Sequence, residues 1–268
     1  MNTLTSSRRT IALIFTVFVA LTLTACDSDS NAAQGTCPDI GNLTPVELAL
    51  NECGISGELT QDATLPSTIT WFLNGRLQVG NASSHATLDI DPGTEIRGDS
   101  ADDHLLVFPG SALRANGTGA SPVRFLSNDD GVDGSGEWGG VFLRGFNGLP
   151  TLTGTQGANR LDYVVVAEAG APVEVTIDGQ TVTYQDNLVL NGVDSNTLLT
   201  FVQSHNSARD GLHILNGDPR LSWILVTGAQ RDGIWYRDFS GLIKDLMVIH
   251  HQVLTAARAA RASMPVRR

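Results

Sequence analysis

Long helical segments, aromatic residues and familiar catalytic signatures are all scarce in this chain. Aromatics make up 6% of its 268 residues, and no stretch reads as a long amphipathic helix, which argues against a helical bundle. A serine-nucleophile elbow, a Walker loop and a cofactor fingerprint are all missing, so the common routes to acyl transfer, nucleotide hydrolysis and hydride transfer are closed and no cofactor is expected. Basic charge is short as well. All 28 acidic residues fall between Asp27 and Gln252 against 11 basic ones, which leaves that segment at a formal −17. Such a surface repels nucleic acid and anionic headgroups, and no nucleic-acid partner is expected.

What the chain has is glycine and a short repeat. Leu199-Thr200-Phe201-Val202 lines up with Leu221-Ser222-Trp223-Ile224 and with Ile243-Lys244-Asp245-Leu246, and Arg209-Asp210-Gly211-Leu212 lines up with Arg231-Asp232-Gly233-Ile234. A unit of about 22 residues cannot bury its own apolar face and has to stack on copies of itself. Its apolar runs are short and rich in β-branched and aromatic types, which selects strands over helices. One repeat is therefore one coil of a parallel β-solenoid, all-β, with Phe201, Trp223 and Leu246 expected in a single interior column. Upstream, Leu88-Asp89-Ile90-Asp91-Pro92-Gly93-Thr94-Glu95-Ile96 is echoed 17 residues later by Leu105 to Leu113. That echo predicts stacked coils in which Leu88 meets Leu105, Ile90 meets Val107 and Ile96 meets Leu113.

The N-terminus carries an address. Arg8 and Arg9 precede an apolar run from Ile11 to Leu23 that is too short to span a bilayer comfortably and reads as an export signal. It ends in Leu23-Thr24-Ala25-Cys26, which resembles the lipobox of bacterial lipoproteins. The resemblance implies cleavage before Cys26, acylation of that cysteine with palmitate-type chains, and a membrane anchor for the mature chain. Asp27, by the same likeness to enteric lipoproteins, hints at retention in the inner membrane. Residues 1–26 are thus the signal peptide, and the chain is expected in the cell envelope. Cys37 and Cys53 then form an even pair in an exported protein, which reads as a disulfide.

Residues 27–56 are expected to form a polar tether followed by a disulfide-closed cap. Thr44-Pro45-Val46-Glu47 offers an N-cap, a proline at the first helical position and a reciprocal glutamate, which predicts a short capping helix through Leu50. Residues 57–252 hold the coils. Within them Val173 to Ile177 and Gln180 to Tyr184 flank Asp178-Gly179 and predict a β-hairpin insertion over 171–186, the first place to look for a specificity loop. Residues 253–268 change to Ala and Arg. They are either a C-terminal amphipathic cap or a non-native, frameshifted tail, and in the second case the chain is a truncated product without function.

Glu137-Trp138-Gly139-Gly140-Val141-Phe142-Leu143, with Pro92-Gly93-Thr94 through Gly98 and His205-Asn206-Ser207-Ala208-Arg209-Asp210-Gly211, resembles a family of bacterial cell-envelope proteins, often lipoproteins, similar to right-handed parallel β-helices of the pectate-lyase-like class. The resemblance implies the hand and the closed coil but brings little function.

Three groups of residues invite chemistry. Asp210 and Asp232 sit in equivalent turns about one strand spacing apart, and paired carboxylates at that separation suit glycoside hydrolysis, with His205 nearby as a proton carrier. Both also belong to the repeated Arg-Asp-Gly, where Asp accepts backbone N–H groups, Gly adopts a left-handed turn and Arg pairs with acid, so a structural role is preferred. His213 and His250-His251 flank the same region without metal-ligand spacing. Asp129, Asp130 and Asp133 form an acidic glycine-rich loop that could suit a hard cation, yet the spacing is not that of an EF-hand and a solvated turn is preferred. The expected function is a binding or structural scaffold anchored to the membrane, its partner a glycan or another envelope protein. The alternative is a polysaccharide-active lyase or hydrolase.

Overall fold

A computed structural model describes residues 37–129 and 134–249. Cys26, the signal segment, the tether to residue 36 and the tail after Ile249 lie outside the described residues, as do Asp130 and Asp133. Among the described residues there is no helix; a 17-stranded sheet, almost wholly parallel, and one two-stranded hairpin account for all named strands.

The parallel ladders fall into three faces that wind around one interior. On the first, Leu59, Val79, Val107, Leu143, Leu190 and Ile214 follow one another in register. The second aligns Leu65, Ile90, Ala115, Leu161, Leu199 and Leu221. The third runs Cys53, Trp71, Ile96, Phe125, Val166, Ser204 and Val226. Apart from Ser204 and the disulfide-bonded Cys53 these columns are hydrocarbon or aromatic, and every member is buried. The structure is a parallel β-helix. Every second side chain enters a core that no single coil could close alone.

Three sequence expectations are corrected. The 17-residue echo does not relate stacked coils: Leu88 pairs with Leu113, Leu105 with Leu77, and Ile96 with Phe125. Leu88 and Leu105 occupy different faces of one winding, because two strands bent by a Pro-Gly corner read alike whichever face they serve.

Phe201 and Trp223 are 40% and 54% exposed rather than interior. Each sits between two in-register pairs, Leu199 and Val202 in one coil, Leu221 and Ile224 in the next, and adopts a left-handed backbone, φ 56° and 57°. That residue turns the corner between the second and third faces and resets the inside-outside alternation, so the aromatic ring is thrown outward. Tyr163 and Asp245 occupy the same position with φ 49° and 53°. A left-handed backbone costs a residue with a bulky side chain about 1–2 kcal/mol, which Gly, Asn or Asp pays least. Leu246 keeps the register of Val202 and Ile224, yet it is exposed because no further described coil stacks on the strand Leu242–Ile249.

The expected capping helix after Thr44 is a strand, Val46–Ala49, antiparallel to Glu52–Leu59. Its side chains are all exposed, so a helix there would have had no face to bury and its costly first turn no return. As a strand it satisfies the edge of the first coil instead. The chain reverses through Asn51, φ 61°, and the Cys37–Cys53 disulfide, Cα–Cα 5.8 Å, ties the segment down.

The hairpin Val173–Ile177 with Gln180–Tyr184 forms as expected, paired from Val173 with Tyr184 to Ile177 with Gln180. It does not project as a loop. Val173, Val175, Ile177 and Tyr184 lie down on Leu106, Phe142 and Val189, the outward side chains of the first face, and make a second apolar layer outside the helix. Asp178 at its tip accepts N–H groups from Thr151 at 2.6 Å and Leu152 at 2.9 Å. The buried Arg144 guanidinium donates to the carbonyls of Gly145, Asn147 and Asn191 beneath it.

Reducing the disulfide, or replacing Cys37 by Ser, frees a loop of about 17 residues and should cost about 3 kcal/mol of stability. Urea titration of the oxidised and reduced protein checks this; equal midpoints would show that the bond constrains nothing.

Candidate functional site

The corner that leads from the third face into the first places an aspartate two residues before the inward leucine or isoleucine in four coils: Asp103, Asp186, Asp210 and Asp232. Three of them are threaded together. Asp186 Oδ1 accepts the N–H of Asp210 at 3.0 Å, and Asp210 Oδ1 accepts the N–H of Asp232 at 3.1 Å. The Asp186 and Asp210 carboxylates therefore each tie their own corner to the equivalent corner one coil on. Gly211 and Gly233 follow in ordinary, not left-handed, backbone, which corrects the expected turn; they are glycine because a Cβ would lie 2.2 Å from a methyl of Val226 and Val248 respectively.

Asp210, the sequence's first catalytic candidate, is fully buried. Arg231 Nε donates to its Oδ1 at 2.7 Å and Nη2 pairs with its Oδ2. Burial above all, with the Asp186 charge, raises the Asp210 carboxyl above its ordinary value, against the lowering effect of its hydrogen bonds from Arg231 and Asp232. Asp232, half exposed, lies 3.3 Å from Arg231 Nε. The structure thus brings Asp210 and Asp232 together with a guanidinium between them, whereas a hydrolytic pair needs the space between its carboxyls for a sugar and water. His205 does not join them; its Nδ1 bonds the Thr227 hydroxyl at 2.6 Å. His213 does join the cluster, with Nδ1 2.7 Å from Asp186 Oδ2. Asp186, Asp210 and His213 offer ligand atoms within 4.8 Å of one another, but Arg231 already supplies the positive charge there, so a metal ion would meet a cation. Of the acidic loop, Asp129 is described, its N–H donating to Ser127 Oγ at 3.1 Å.

Two clefts escaped the sequence reading. One, about 570 Å³, is lined by Phe72, Asn74, Arg97, Asp99, Asp102 and Asp103 among others. Asp103 accepts N–H groups from Gly75 at 2.6 Å and Asp99 at 3.0 Å, and a hydrogen bond between the two side chains, followed by burial, raises the Asp99 carboxyl. The other, about 260 Å³, lies between Arg76, Asp102, His104 and Glu174. Burial pushes the His104 imidazole below its ordinary value and keeps it neutral at pH 7. The adjacent Asp102-Asp103-His104 was the available signal.

The outward corner aromatics form a third feature. Tyr163 stacks on Phe201 with centroids 4.4 Å apart and 15° between planes, and Phe201 stacks on Trp223 at 5.7 Å and 13°. Beyond Trp223 opens a groove of about 400 Å³ bordered by Leu225, Asp245, Leu246 and Met247.

Comparison with known families returns one described as "pectate-lyase like beta helix domain", matched over residues 57–263, more than half of the chain. The chain belongs to this family. No curated protein matches it, and no solved structure does. For this pectate-lyase-like domain the fold comes from the family and the chemistry from its own residues: the repeated Asp and Arg staple corners, and the polar clefts lie elsewhere.

Two outcomes follow. Asp210→Asn should cost about 2–3 kcal/mol, because a buried carboxylate loses charge-assisted bonds, whereas Asp232→Asn should cost less than about 1 kcal/mol; chemical denaturation of both variants checks the difference. His104, with its folded pKa below the unfolded value of about 6.5, takes up protons more readily when unfolded. Its contribution is therefore fully present above about pH 6.5 and declines as pH falls below it. Melting curves from pH 8 to 5 should show a decline that His104→Gln flattens.

Proposed function

We propose that this pectate-lyase-like β-helix is a lipid-anchored binding scaffold of the cell envelope, held to the membrane through acylated Cys26 and presenting its acidic coils to a glycan or to another envelope protein. The observation that carries this reading over an enzymatic one is the state of Asp210. The carboxylate that the repeat offers for catalysis is shut from solvent, paired with Arg231 and committed to the next coil's backbone, so it has no free lone pair facing a substrate. Asp232 is bridged to it by Arg231, and His205 Nδ1 bonds the Thr227 hydroxyl. A polysaccharide-active enzyme would have to work from the Asp99 and Asp103 cleft instead, where the raised Asp99 carboxyl beside about 570 Å³ of open space is, among the described residues, what favours that rival.

The anchor is tested by growing cells with labelled palmitate. The wild-type chain should take up label and sediment with membranes, and Cys26→Ala should do neither; label retained in the variant would defeat the anchor. The scaffold role is tested by incubating the exported protein with polysaccharides and analysing products. No release of oligosaccharide is expected, and release abolished by Asp99→Asn or Asp103→Asn would replace the scaffold by an enzyme.

A further inference from the structure

We propose that the outer corner carrying Tyr163, Phe201 and Trp223 is a platform for a neutral polysaccharide, with the free face of Trp223 stacking on a pyranose ring and Asp245 accepting its hydroxyls. The proposal rests on the scaffold reading and assigns it a site and a ligand class.

The corner position demands a left-handed backbone in four successive coils, and the last of them fills it with Asp245, an inexpensive choice. The other three use Tyr, Phe and Trp, among the costlier residues for that conformation. Backbone geometry therefore does not explain the aromatics. Mutual stacking explains the ring faces that touch: Tyr163 on Phe201 and Phe201 on Trp223. The first ring of the ladder, Tyr163, has the Gly119 backbone beside it, where a Cβ would come within 3.5 Å of the ring. The last, Trp223, has one face against Phe201 and is 54% exposed. Beyond it Asp245 takes the ladder position with a side chain too small to fill the space, which leaves the groove of about 400 Å³.

The lining states the ligand's chemistry. An indole face and the aliphatic Leu225 and Met247 offer flat apolar contact, with one carboxylate at the side. A pyranose presents the complement: a face of C–H bonds and a rim of hydroxyl donors. A uronate polymer would bring its own carboxylates against Asp245 and against a segment of formal charge −17, so the sugar is uncharged. A protein partner would be expected to bring cations to such a surface, and among the described residues the groove holds no second acid to receive them.

The full exported chain should be retained by at least one of cellulose, chitin or xylan at neutral pH and not by polygalacturonate. Trp223→Asn, which keeps a residue at ease in the left-handed backbone, should weaken that retention by about tenfold or more with an unchanged melting temperature, and Trp223→Phe by no more than about threefold. Wild-type protein retained by none of the three, equal retention of Trp223→Asn, preference for polygalacturonate, or loss in Trp223→Asn of a bound envelope protein instead of a glycan would each overturn the platform. Oligosaccharide release, measured in the same incubations, reports separately on the scaffold reading, so the two can fail independently.

Discussion

Each coil of this chain can bury its apolar side chains only between the coil before it and the coil after it. Everything else follows from that constraint. Three short strands per turn give three inward columns, and the columns stay continuous only if every corner returns the chain to the same height. The corners are consequently where the sequence is most particular: glycine where a Cβ would strike a valine of the third-face core, a left-handed residue where the alternation has to be reset, and aspartate where one corner must be tied to the next.

The aspartate tie explains why residues with the look of catalysts are structural. An Asp at the same offset in consecutive coils meets the N–H of its successor along the helix axis, and a neighbouring Arg neutralises the buried charge. Repetition of a charged residue in a solenoid is thus ambiguous between a row of active groups and a row of staples. Burial separates them: Asp210 is closed off while Asp232, on the last described coil, is half open and correspondingly less committed.

The solenoid, its parallel pairing, the disulfide partners and the hairpin were legible because they depend on alternation, spacing and turn chemistry, which are local. Face assignment was not. Leu88 to Ile96 and Leu105 to Leu113 share a pattern because all three faces pack into the same interior, so the pattern says "inward" without saying which wall. Phe201 and Trp223 read as interior from apolar character alone, and only the backbone shows that the position between Leu199 and Val202 points away from the core. The helix signal at Thr44 was outweighed by the exposed ladder edge of the first coil, a tertiary fact invisible in four residues. The Asp99 and His104 clefts arise where corners from different coils converge, and nothing adjacent in sequence beyond Asp102-Asp103-His104 marks them.

The hairpin over the first face has a consequence for how the molecule yields. Its apolar underside seals Leu106, Phe142 and Val189, so the middle coils carry a strut on one wall and the disulfide clasps the opening turn, while among the described residues the coils after Val189 have neither brace. Resistance to being pulled apart is therefore graded along the axis. Under load or in denaturant the windings around Trp223 and Met247 give way first, and the clasped, strutted portion endures as a shorter spool.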